Sequence, residues 1–322
     1  MRTCSHLPRR CGRHCERGLI GIARLELAPP DLLPGHRLLL QREDEHELGV
    51  FKWRGALPTL GQYRRSGATT VVTASTGNHG AATAWAAARE AMRAVVFVPE
   101  GASASKLALL ERFGAELMVG GGDLDAAKEA ATAYAAANGL PFFEDGAEPA
   151  QFAGYAAIAD EILTAAGAEP GAVLVPVGNG ALLIGIGSRL AEISLSTRRI
   201  GVVASKAPVM ARSFAAGHVV ESDRCATFAD GLAVRVAIPL AVDELRHAAD
   251  EMIEVSEREI ATAVGALASA GIRAEGSAAA ALAGARSIAE RLPDTVVVVV
   301  TGGNIDDDLW DRAVNDPDSF LG

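Results

Sequence analysis

The stretch Thr295-Val296-Val297-Val298-Val299-Val300, followed by Thr301-Gly302-Gly303-Asn304, carries the clearest structural signal in this chain. Six consecutive β-branched residues predict a strand that is buried on both faces, as is typical of parallel sheets. A polar, glycine-containing turn follows at once. Because ligands bind outside the carboxyl ends of strands in open parallel sheets, this turn is a candidate binding loop.

The same arrangement of an apolar run before a polar turn recurs in the sequence. Thr70-Val71-Val72-Thr73 precedes Ser75-Thr76-Gly77-Asn78-His79-Gly80, and Val173-Leu174-Val175-Pro176-Val177 precedes Gly178-Asn179-Gly180-Ala181. Further strands are predicted at 38–40, 94–99, 116–119, 141–143 and 199–203, and helices at 81–93, 105–113, 124–137, after 155 and at 182–190. This alternation predicts an α/β fold with mostly parallel sheets flanked by helices.

Composition limits the classes of protein to which the chain can belong. Its 322 residues, 49% of them hydrophobic, are enough to bury the cores of two lobes. The net charge of −10 argues against a surface that binds nucleic acid or an anionic membrane. No apolar run reaches the roughly 18 residues that a membrane-spanning helix needs. We therefore predict a cytoplasmic protein with no nucleic-acid or membrane partner.

The N-terminal segment is basic and unusually rich in cysteine and histidine. Cys4, His6, Cys11, His14 and Cys15 lie within its first fifteen residues. These side chains could ligate zinc, but they contain no Cys-x-x-Cys pair. The alternative, which we favour, is a poorly ordered tail. The segment lacks the continuous apolar region of a signal peptide, so secretion is not supported.

Lys52, in Gly49-Val50-Phe51-Lys52-Trp53-Arg54-Gly55-Ala56, is the strongest catalytic candidate. A lysine amine can form a Schiff base with an aldehyde cofactor. The Gly178–Ala181 turn precedes an apolar helix, so its backbone N–H groups could bind a phosphate. The Ser75–His79 loop offers hydroxyl and backbone donors to a carboxylate. Each motif alone could be a surface lysine, a tight turn or a helix cap, but their combination favours a cofactor site.

These motifs resemble those of the fold-type II pyridoxal 5′-phosphate (PLP) enzymes, the tryptophan synthase β-subunit superfamily, and within it the serine/threonine dehydratase and serine racemase group. The resemblance covers about residues 38–304. It rests on Phe51-Lys52-x-Arg54-Gly55-Ala56, on the Ser75–Gly80 loop, and on three later segments: Asp230-Gly231-Leu232-Ala233-Val234, Glu275-Gly276-Ser277-Ala278-Ala279 and Thr301-Gly302-Gly303-Asn304.

The resemblance implies a two-domain α/β enzyme with its active site in the cleft between the domains. Each domain would contain an open, mostly parallel sheet flanked by helices. Residues 1–50 would form the N-terminal tail and the first part of the large PLP-binding domain. Residues 51–147 would form the small domain, and residues 148–322 the remainder of the large one.

The resemblance also implies a role for each candidate site residue. Lys52 would hold PLP and act as the base at the substrate Cα, with Phe51 beside the cofactor. Asn78 would hydrogen-bond the phenolic oxygen of PLP, and Thr301 would contact the ring nitrogen. The cofactor phosphate would lie on Gly178, Asn179, Gly180 and Ala181. The substrate carboxylate would be held by Ser75, Thr76, Gly77 and His79.

His79 and Thr76 could each have a role other than the one given above, and Arg54 has a different role. For His79, simple packing competes with substrate contact. Thr76 could be a second acid/base on the face of Cα opposite Lys52, but a role as carboxylate ligand is favoured. Arg54 is expected to be structural. Ala204 and Ser205 offer no carboxylate where metal-binding relatives have one, so no divalent-cation site is expected.

The implied reaction is β-elimination from a hydroxyamino acid such as L-threonine or L-serine by a homodimer, which gives a 2-oxo acid and ammonia. Several alternatives stay open at this point. They are a threonine synthase-like or other β-replacing enzyme, a diaminopropionate or hydroxyectoine-pathway ammonia-lyase, a serine racemase-like enzyme, and a catalytically silent homologue that serves as a binding subunit.

Overall fold

The structure is a computed structural model that describes residues 24–194, 196–222 and 225–321. The cysteine- and histidine-containing segment for which zinc binding was considered lies outside these residues. Within the described ranges, nine strands and eleven α-helices alternate along much of the chain. None of these helices combines the length and the apolar composition needed to cross a bilayer.

The strands of the described residues form two sheets. One has six strands in the order β1-β2-β9-β6-β7-β8, and the other has three in the order β3-β4-β5. Every pairing in both sheets is parallel except that of β1 with β2. The strands are β1 (Arg24–Leu27), β2 (Arg37–Arg42), β3 (Thr70–Ala74), β4 (Arg93–Val98), β5 (Ala115–Val119), β6 (Ala172–Pro176), β7 (Arg198–Ala204), β8 (Glu251–Val255) and β9 (Thr295–Val300).

The helices cover both faces of these sheets. They are α1 (Trp53–Arg65), α2 (Asn78–Arg89), α3 (Ala104–Arg112), α4 (Leu124–Asn138), α5 (Pro149–Ala165), α6 (Ala181–Ile193), α7 (Val209–Ala216), α8 (Pro239–Ala248), α9 (Glu257–Ser269), α10 (Gly276–Ser287) and α11 (Asp307–Asn315).

Strand β9 lies inside the large sheet, between β2 and β6. Its side chains alternate between two cores, as the twofold periodicity of a strand requires. Val296, Val298 and Val300 pack in the core that contains α9 and α10, whereas Val297 and Val299 pack with α5 and α6. The predicted strand at 295–300 is therefore confirmed with its predicted limits.

The three-stranded sheet is also covered on both faces. Val71 and Val96 pack with Trp85 of α2 and Leu110 of α3. On the opposite face, Val72 and Val95 pack against α4. The α/β architecture expected from the alternating pattern is thus present in both parts of the chain.

Two local predictions differ from the structure. The helix expected at 81–93 begins earlier, at Asn78, and ends at Arg89 because Ala91 has a φ of 53° and turns the chain toward β4. The run 141–143 is wrong as a strand, since it makes a single parallel bridge from Phe142 to Val72. This bridge still extends the three-stranded sheet at its edge, and it delivers the residues that follow to the carboxyl ends of the strands.

Candidate active site

The segment that carries Lys52 is bound to the carboxyl end of β9. The Phe51 N–H donates to the carbonyl oxygen of Thr301 over 3.0 Å, and Val50 forms an antiparallel bridge with Gly302. The Gly303 N–H donates to the carbonyl of Gly49 over 2.9 Å. Two motifs separated by about 250 residues in the sequence are therefore neighbours in space.

The side chain of Lys52 is only 15% exposed and meets a carboxylate. Its Nζ donates to Asp145 Oδ2 over 2.6 Å. The second oxygen, Asp145 Oδ1, accepts a 2.6 Å bond from Gln151 Nε2. Burial raises the pKa of Asp145, but the positive charge of Lys52 and the hydrogen bonds from Lys52 and Gln151 lower it more, so the net shift is well below the usual range. Asp145 is therefore held as an anion against the lysine.

His79 is buried beneath Asp145. Its Nδ1 lies 3.5 Å from Asp145 Oδ1, and its Nε2 lies 3.1 Å from Thr73 Oγ1 and 3.2 Å from the carbonyl oxygen of Phe143. Burial lowers the pKa of this imidazole, which favours the neutral ring. Both nitrogens are thus directed at protein atoms, and this geometry favours the packing role over substrate contact.

The loop before α2 presents hydroxyl and backbone donors. The Gly77 N–H donates to Ser75 Oγ over 3.1 Å, and Ser75, Thr76 and Gly77 are all partly exposed. Because the first N–H groups of a helix have no intrahelical partner, the start of α2 at Asn78 adds further donors. These donors are suited to binding a carboxylate group.

Asn78 is fixed at both ends of its amide. Its Nδ2 lies 3.1 Å and 3.3 Å from the two Glu275 oxygens, and its Oδ1 accepts a 2.8 Å bond from Asn304 Nδ2. Burial raises the pKa of Glu275 to about 7, although the Asn78 hydrogen bond opposes this shift. The backbone N–H of Glu275 donates to the Gly302 carbonyl, so the 275–279 segment also lies beside the end of β9.

The Gly178–Ala181 turn connects β6 to the N-terminus of α6. Gly180 has a φ of 97°, and a Cβ there would lie 2.9 Å from Leu245 Cδ1. A Cβ on Gly178 would lie 2.2 Å from the carbonyl oxygen of Gly231. Asn179 Oδ1 accepts a hydrogen bond from the Ala181 N–H over 3.1 Å. The N–H groups that follow Ala181 in the first turn of α6 have no intrahelical partners, because they stand at the start of a helix.

The 230–234 segment packs against this turn through Gly231. Its Gly231 N–H donates to Ser277 Oγ over 3.0 Å, which links it to the 275–279 segment. On the other side, Gly146 approaches Asn179 so closely that a Cβ on Gly146 would lie 2.8 Å from Asn179 Cγ. Gly146 directly follows Asp145 in the sequence. The residue that packs against the turn is therefore the neighbour of the residue whose carboxylate contacts Lys52.

Each remaining candidate has a defined environment. Phe51 packs on Tyr155 with ring centroids 5.1 Å apart, and Lys52 Nζ lies 5.0 Å from the centroid of the Phe51 ring. Thr301 is buried, with 3% exposure. The structure thus brings four segments together at the carboxyl ends of the strands: the Lys52 box, the 75–79 loop, the 178–181 turn and the end of β9.

These residues fit PLP. The glycines of the 178–181 turn leave room where any Cβ would collide with protein, and the turn opens a helix whose N–H groups favour a phosphate. Lys52 supplies a primary amine that contacts Asp145, and the next residue, Gly146, packs against that turn. An aldehyde and a phosphate on one molecule match these two features.

Arg54 connects this site to the protein interior. Its Nε donates to Glu43 Oε2 over 2.7 Å, and its two terminal nitrogens donate to Glu161 over 2.8 Å and 2.6 Å. Its side chain is 4% exposed. A guanidinium with this double carboxylate contact stabilises the start of α1, directly after Lys52.

Asp145 was absent from the site predicted by sequence, as was Gln151. Asp145 could have been predicted from its position, because it follows the apolar run 141–143 as Ser75 follows β3. Glu275 was recognised as part of a motif but had no predicted role. Its contact with Asn78 depends on packing between the two sheets, which the sequence pattern does not specify.

Comparison with known proteins identifies the family. A family model described as pyridoxal-phosphate dependent enzyme matches residues 19–302. The chain belongs to this family. It is a PLP-dependent enzyme, and its α/β fold is that of the fold-type II group.

Among curated relatives, the L-threonine ammonia-lyase of Thermotoga maritima is 32% identical over 286 residues, which are 87% of this chain and 70% of that enzyme. The L-threonine ammonia-lyase of Geobacter sulfurreducens is 34% identical over 268 residues, 82% of this chain and 66% of that enzyme. This chain therefore spans about two thirds of the length of these two relatives.

Solved structures agree with this assignment. Threonine deaminase isoform 2 from Solanum lycopersicum, in its processed form, has a TM-score of 0.86 at 28% identity, over 93% of this chain and 88% of that chain. A second threonine deaminase, from the organism abbreviated T.th., has a TM-score of 0.83 at 30% identity, over 89% of this chain and 94% of that chain. Maize serine racemase, at 24% identity, shares the fold with a TM-score of 0.84, over 91% of each chain.

Proposed function

We propose that this enzyme catalyses β-elimination from an L-amino acid such as L-threonine or L-serine and releases a 2-oxo acid and ammonia. One observation carries the proposal. The Lys52 amine contacts Asp145, whose neighbour Gly146 packs against Asn179 of the phosphate-type turn and whose carboxylate also lies beside His79 of the carboxylate-type loop. These elements meet at the carboxyl ends of two mostly parallel sheets. The two curated relatives described above, both L-threonine ammonia-lyases, support the same reaction.

The residues have separate tasks in this reaction. PLP, when bound, withdraws electrons from the substrate Cα and so acidifies its proton. Lys52, as a neutral amine, takes that proton. The Ser75–Gly77 donors and the start of α2 hold the substrate carboxylate. The N–H groups at the start of α6 would hold the cofactor phosphate, and the Thr301 hydroxyl, at the end of β9, would contact the ring nitrogen.

The hydroxyl of Thr76 distinguishes elimination from racemisation. Racemisation requires a second proton carrier on the face of Cα opposite Lys52. A threonine is stiffer about χ1 than a serine, which favours a fixed carboxylate contact over a swinging acid. We assign Thr76 the carboxylate contact and infer that Lys52 alone moves the Cα proton.

The division into two domains belongs to the same proposal. Residues 51–147 would form the small domain, since this range contains β3, β4, β5 and helices α1 to α4. Residues 24–50 and 148–321 would form the large domain around the six-stranded sheet. A homodimer is the proposed assembly, and sedimentation analysis of the purified protein would test it.

The direct experiment is to incubate the purified enzyme with L-threonine and L-serine and to measure 2-oxo acid and ammonia. We expect both products in equal amounts, and we expect Lys52→Ala to abolish them. Lys128→Ala is the matched control, because Lys128 is an exposed lysine paired with Glu144. Absence of 2-oxo acid from every amino acid tested would contradict the proposed function.

A second measurement uses Thr76→Ala and the enantiomer of serine. The variant should retain elimination with a raised KM, and the wild type should form little D-serine from L-serine. Racemisation as fast as elimination in the wild type, lost selectively in Thr76→Ala, would instead identify a racemase.

A further inference from the structure

The side-chain amide of Asn78, at the start of α2, is hydrogen-bonded on both sides. Its Oδ1 accepts a 2.8 Å bond from Asn304 Nδ2, and its Nδ2 lies 3.1 Å and 3.3 Å from the two oxygens of Glu275. No other group among the described residues hydrogen-bonds this side chain. Asn78 is therefore held between the loop after β9 and the residue that precedes α10.

A backbone carbonyl sets the direction of these hydrogen bonds. The oxygen and the nitrogen of an amide side chain are similar in shape, so its partners decide which one faces which way. Asn304 Nδ2 also donates to the carbonyl oxygen of Leu48 over 2.8 Å. Because a carbonyl oxygen can only accept, the nitrogen of Asn304 must face Leu48 and direct its second N–H at Asn78. Asn78 must then present its oxygen to Asn304 and its nitrogen to Glu275.

Both ends of this chain of hydrogen bonds, the amide relay Leu48–Asn304–Asn78–Glu275, fit closely against glycines. A Cβ on Gly49 would lie 2.7 Å from Asn304 Oδ1, and a Cβ on Gly302 would lie 3.2 Å from Glu275 Oε1. The N–H of Glu275 also donates to the Gly302 carbonyl over 3.0 Å. These glycines belong to the lysine box and to the turn after β9, so the relay connects both segments to the start of α2.

One N–H of Asn78 is left over by the relay. Its nitrogen carries two N–H groups that point in divergent directions, whereas the two oxygens of Glu275 belong to one carboxyl group and lie on one side of it. One N–H is therefore shared between these oxygens, and the other has no partner among the described residues. Burial raises the pKa of Glu275 to about 7, but a carboxyl group accepts hydrogen bonds in its neutral and its ionised form.

We propose that Asn304 and Glu275 are positioning residues, which hold the Asn78 amide in one orientation and direct its remaining N–H at the phenolic oxygen of PLP. This inference rests on the proposed function, because it requires PLP at Lys52. An amide turned the other way would oppose its own oxygen to the phenolic oxygen, and two acceptors repel each other. Since Asn304 is exposed, water could replace it, but a water molecule both donates and accepts and so does not fix the direction of the amide.

A double-mutant cycle tests whether Asn304 acts through Asn78. Equilibrium dialysis of the PLP-loaded wild type, Asn78→Ala, Asn304→Leu and the double variant gives the apparent dissociation constant of PLP. We expect each single substitution to raise it about tenfold. In the Asn78→Ala background, Asn304→Leu should add less than about twofold. Asn315→Leu is the matched control and should have no effect, because Asn315 is an exposed asparagine that donates only to the carbonyl of Asp311.

The absorbance spectrum of the bound cofactor distinguishes a lost orientation from lost packing. Asn304→Leu should change the spectrum in the same direction as Asn78→Ala, since both remove the N–H from the phenolic oxygen. Asn304→Asp keeps the shape and the polarity of the side chain but cannot donate, so it tests the same point even if the leucine variant fails to fold. Wild-type spectra in both Asn304 variants would overturn the proposal. Fully additive losses in the double-mutant cycle would overturn it as well.

Two substitutions of Glu275 test its role as an acceptor. Glu275→Gln can still accept from Asn78 and should keep the dissociation constant of PLP within about threefold of the wild type, whereas Glu275→Leu should raise it about tenfold. Equal losses in the two variants would contradict this role. None of these measurements needs a substrate. If no amino acid gave 2-oxo acid, the proposed reaction would fail and the relay would still be decided, whereas normal turnover with additive losses would reject the relay alone.

Discussion

The backbone N–H of Phe51 donates to the carbonyl oxygen of Thr301 over 3.0 Å, so the residue before Lys52 is bound to the first residue after β9. Together with the hydrogen bond from Gly303 to Gly49, it holds the lysine that is proposed to bind PLP near the hydroxyl that is proposed to meet its ring. The lysine box cannot shift along the sheet without losing both this bond and the bridge from Val50 to Gly302.

Thr301→Val should fold normally and lose turnover. The two side chains are nearly isosteric and Thr301 is buried, but valine would leave the ring nitrogen of PLP without a partner. We expect about a tenfold fall in kcat, the magnitude of one neutral hydrogen bond. Thr301→Asp should instead favour a protonated ring and change the absorbance spectrum of the bound cofactor. Wild-type behaviour of both variants would contradict the placement of Thr301 at the cofactor.

Gly178→Ala should weaken cofactor binding. A Cβ at this position would lie 2.2 Å from the carbonyl oxygen of Gly231, so the 178–181 turn or the 230–234 segment must move. We expect a loss of about 1–3 kcal/mol in stability, together with a lower PLP content after dialysis. Gly122→Ala is the matched control, because a Cβ there meets no atom within 4 Å. Equal PLP content in the two variants would contradict this account of the turn.

The sequence predicted the strand at 295–300 correctly because six β-branched residues leave few alternatives. It placed the end of the helix expected at 81–93 incorrectly because the turn at Ala91 has no glycine or proline to mark it. Proximity of the four site motifs followed from their positions at strand ends. The contact between Lys52 and Asp145 did not, because it depends on how a loop at the edge of the three-stranded sheet packs against the start of α1.

Arg54→Met should destabilise the protein strongly. The substitution leaves Glu43 buried, with its side chain 0% exposed and without its cation. Burial already raises the pKa of Glu43, and Arg54 opposes that shift. We expect a loss of about 3–5 kcal/mol in the free energy of unfolding, measured by urea denaturation.

Arg93→Met is the control for this prediction. Arg93 pairs with Glu116 at the surface, and both side chains are more than half exposed. Little change in stability is expected, because solvent screens such pairs. If Arg54→Met lowered the free energy of unfolding no more than Arg93→Met does, the ion pairs of Arg54 would not be important for stability.

Glu275→Gln should change how stability depends on pH. The pKa of Glu275 is raised from 4.5 to about 7, so the folded protein holds this proton more tightly than the unfolded chain. Stability is therefore full below pH 4.5 and falls as the pH rises toward 7. Glutamine cannot ionise, so the cofactor-free variant should gain roughly 2–3 kcal/mol relative to the wild type at pH 8 compared with pH 4.

Chemical denaturation at the two pH values measures this difference. Glu290→Gln, at an exposed glutamate just beyond α10, is the matched control. An identical difference between Glu275→Gln and the wild type at both pH values would contradict the raised pKa of the buried Glu275 carboxyl beside Asn78.

The covalent attachment of PLP to Lys52 is the claim on which the rest of the account depends, and peptide mapping tests it most directly. Borohydride should reduce the linkage between PLP and its lysine, and mass spectrometry of the digested protein should then locate the pyridoxyl group. We predict that it lies on the peptide containing Lys52 and is missing from Lys52→Ala. A pyridoxyl group on Lys106, Lys128 or Lys206 in the wild type would contradict the account.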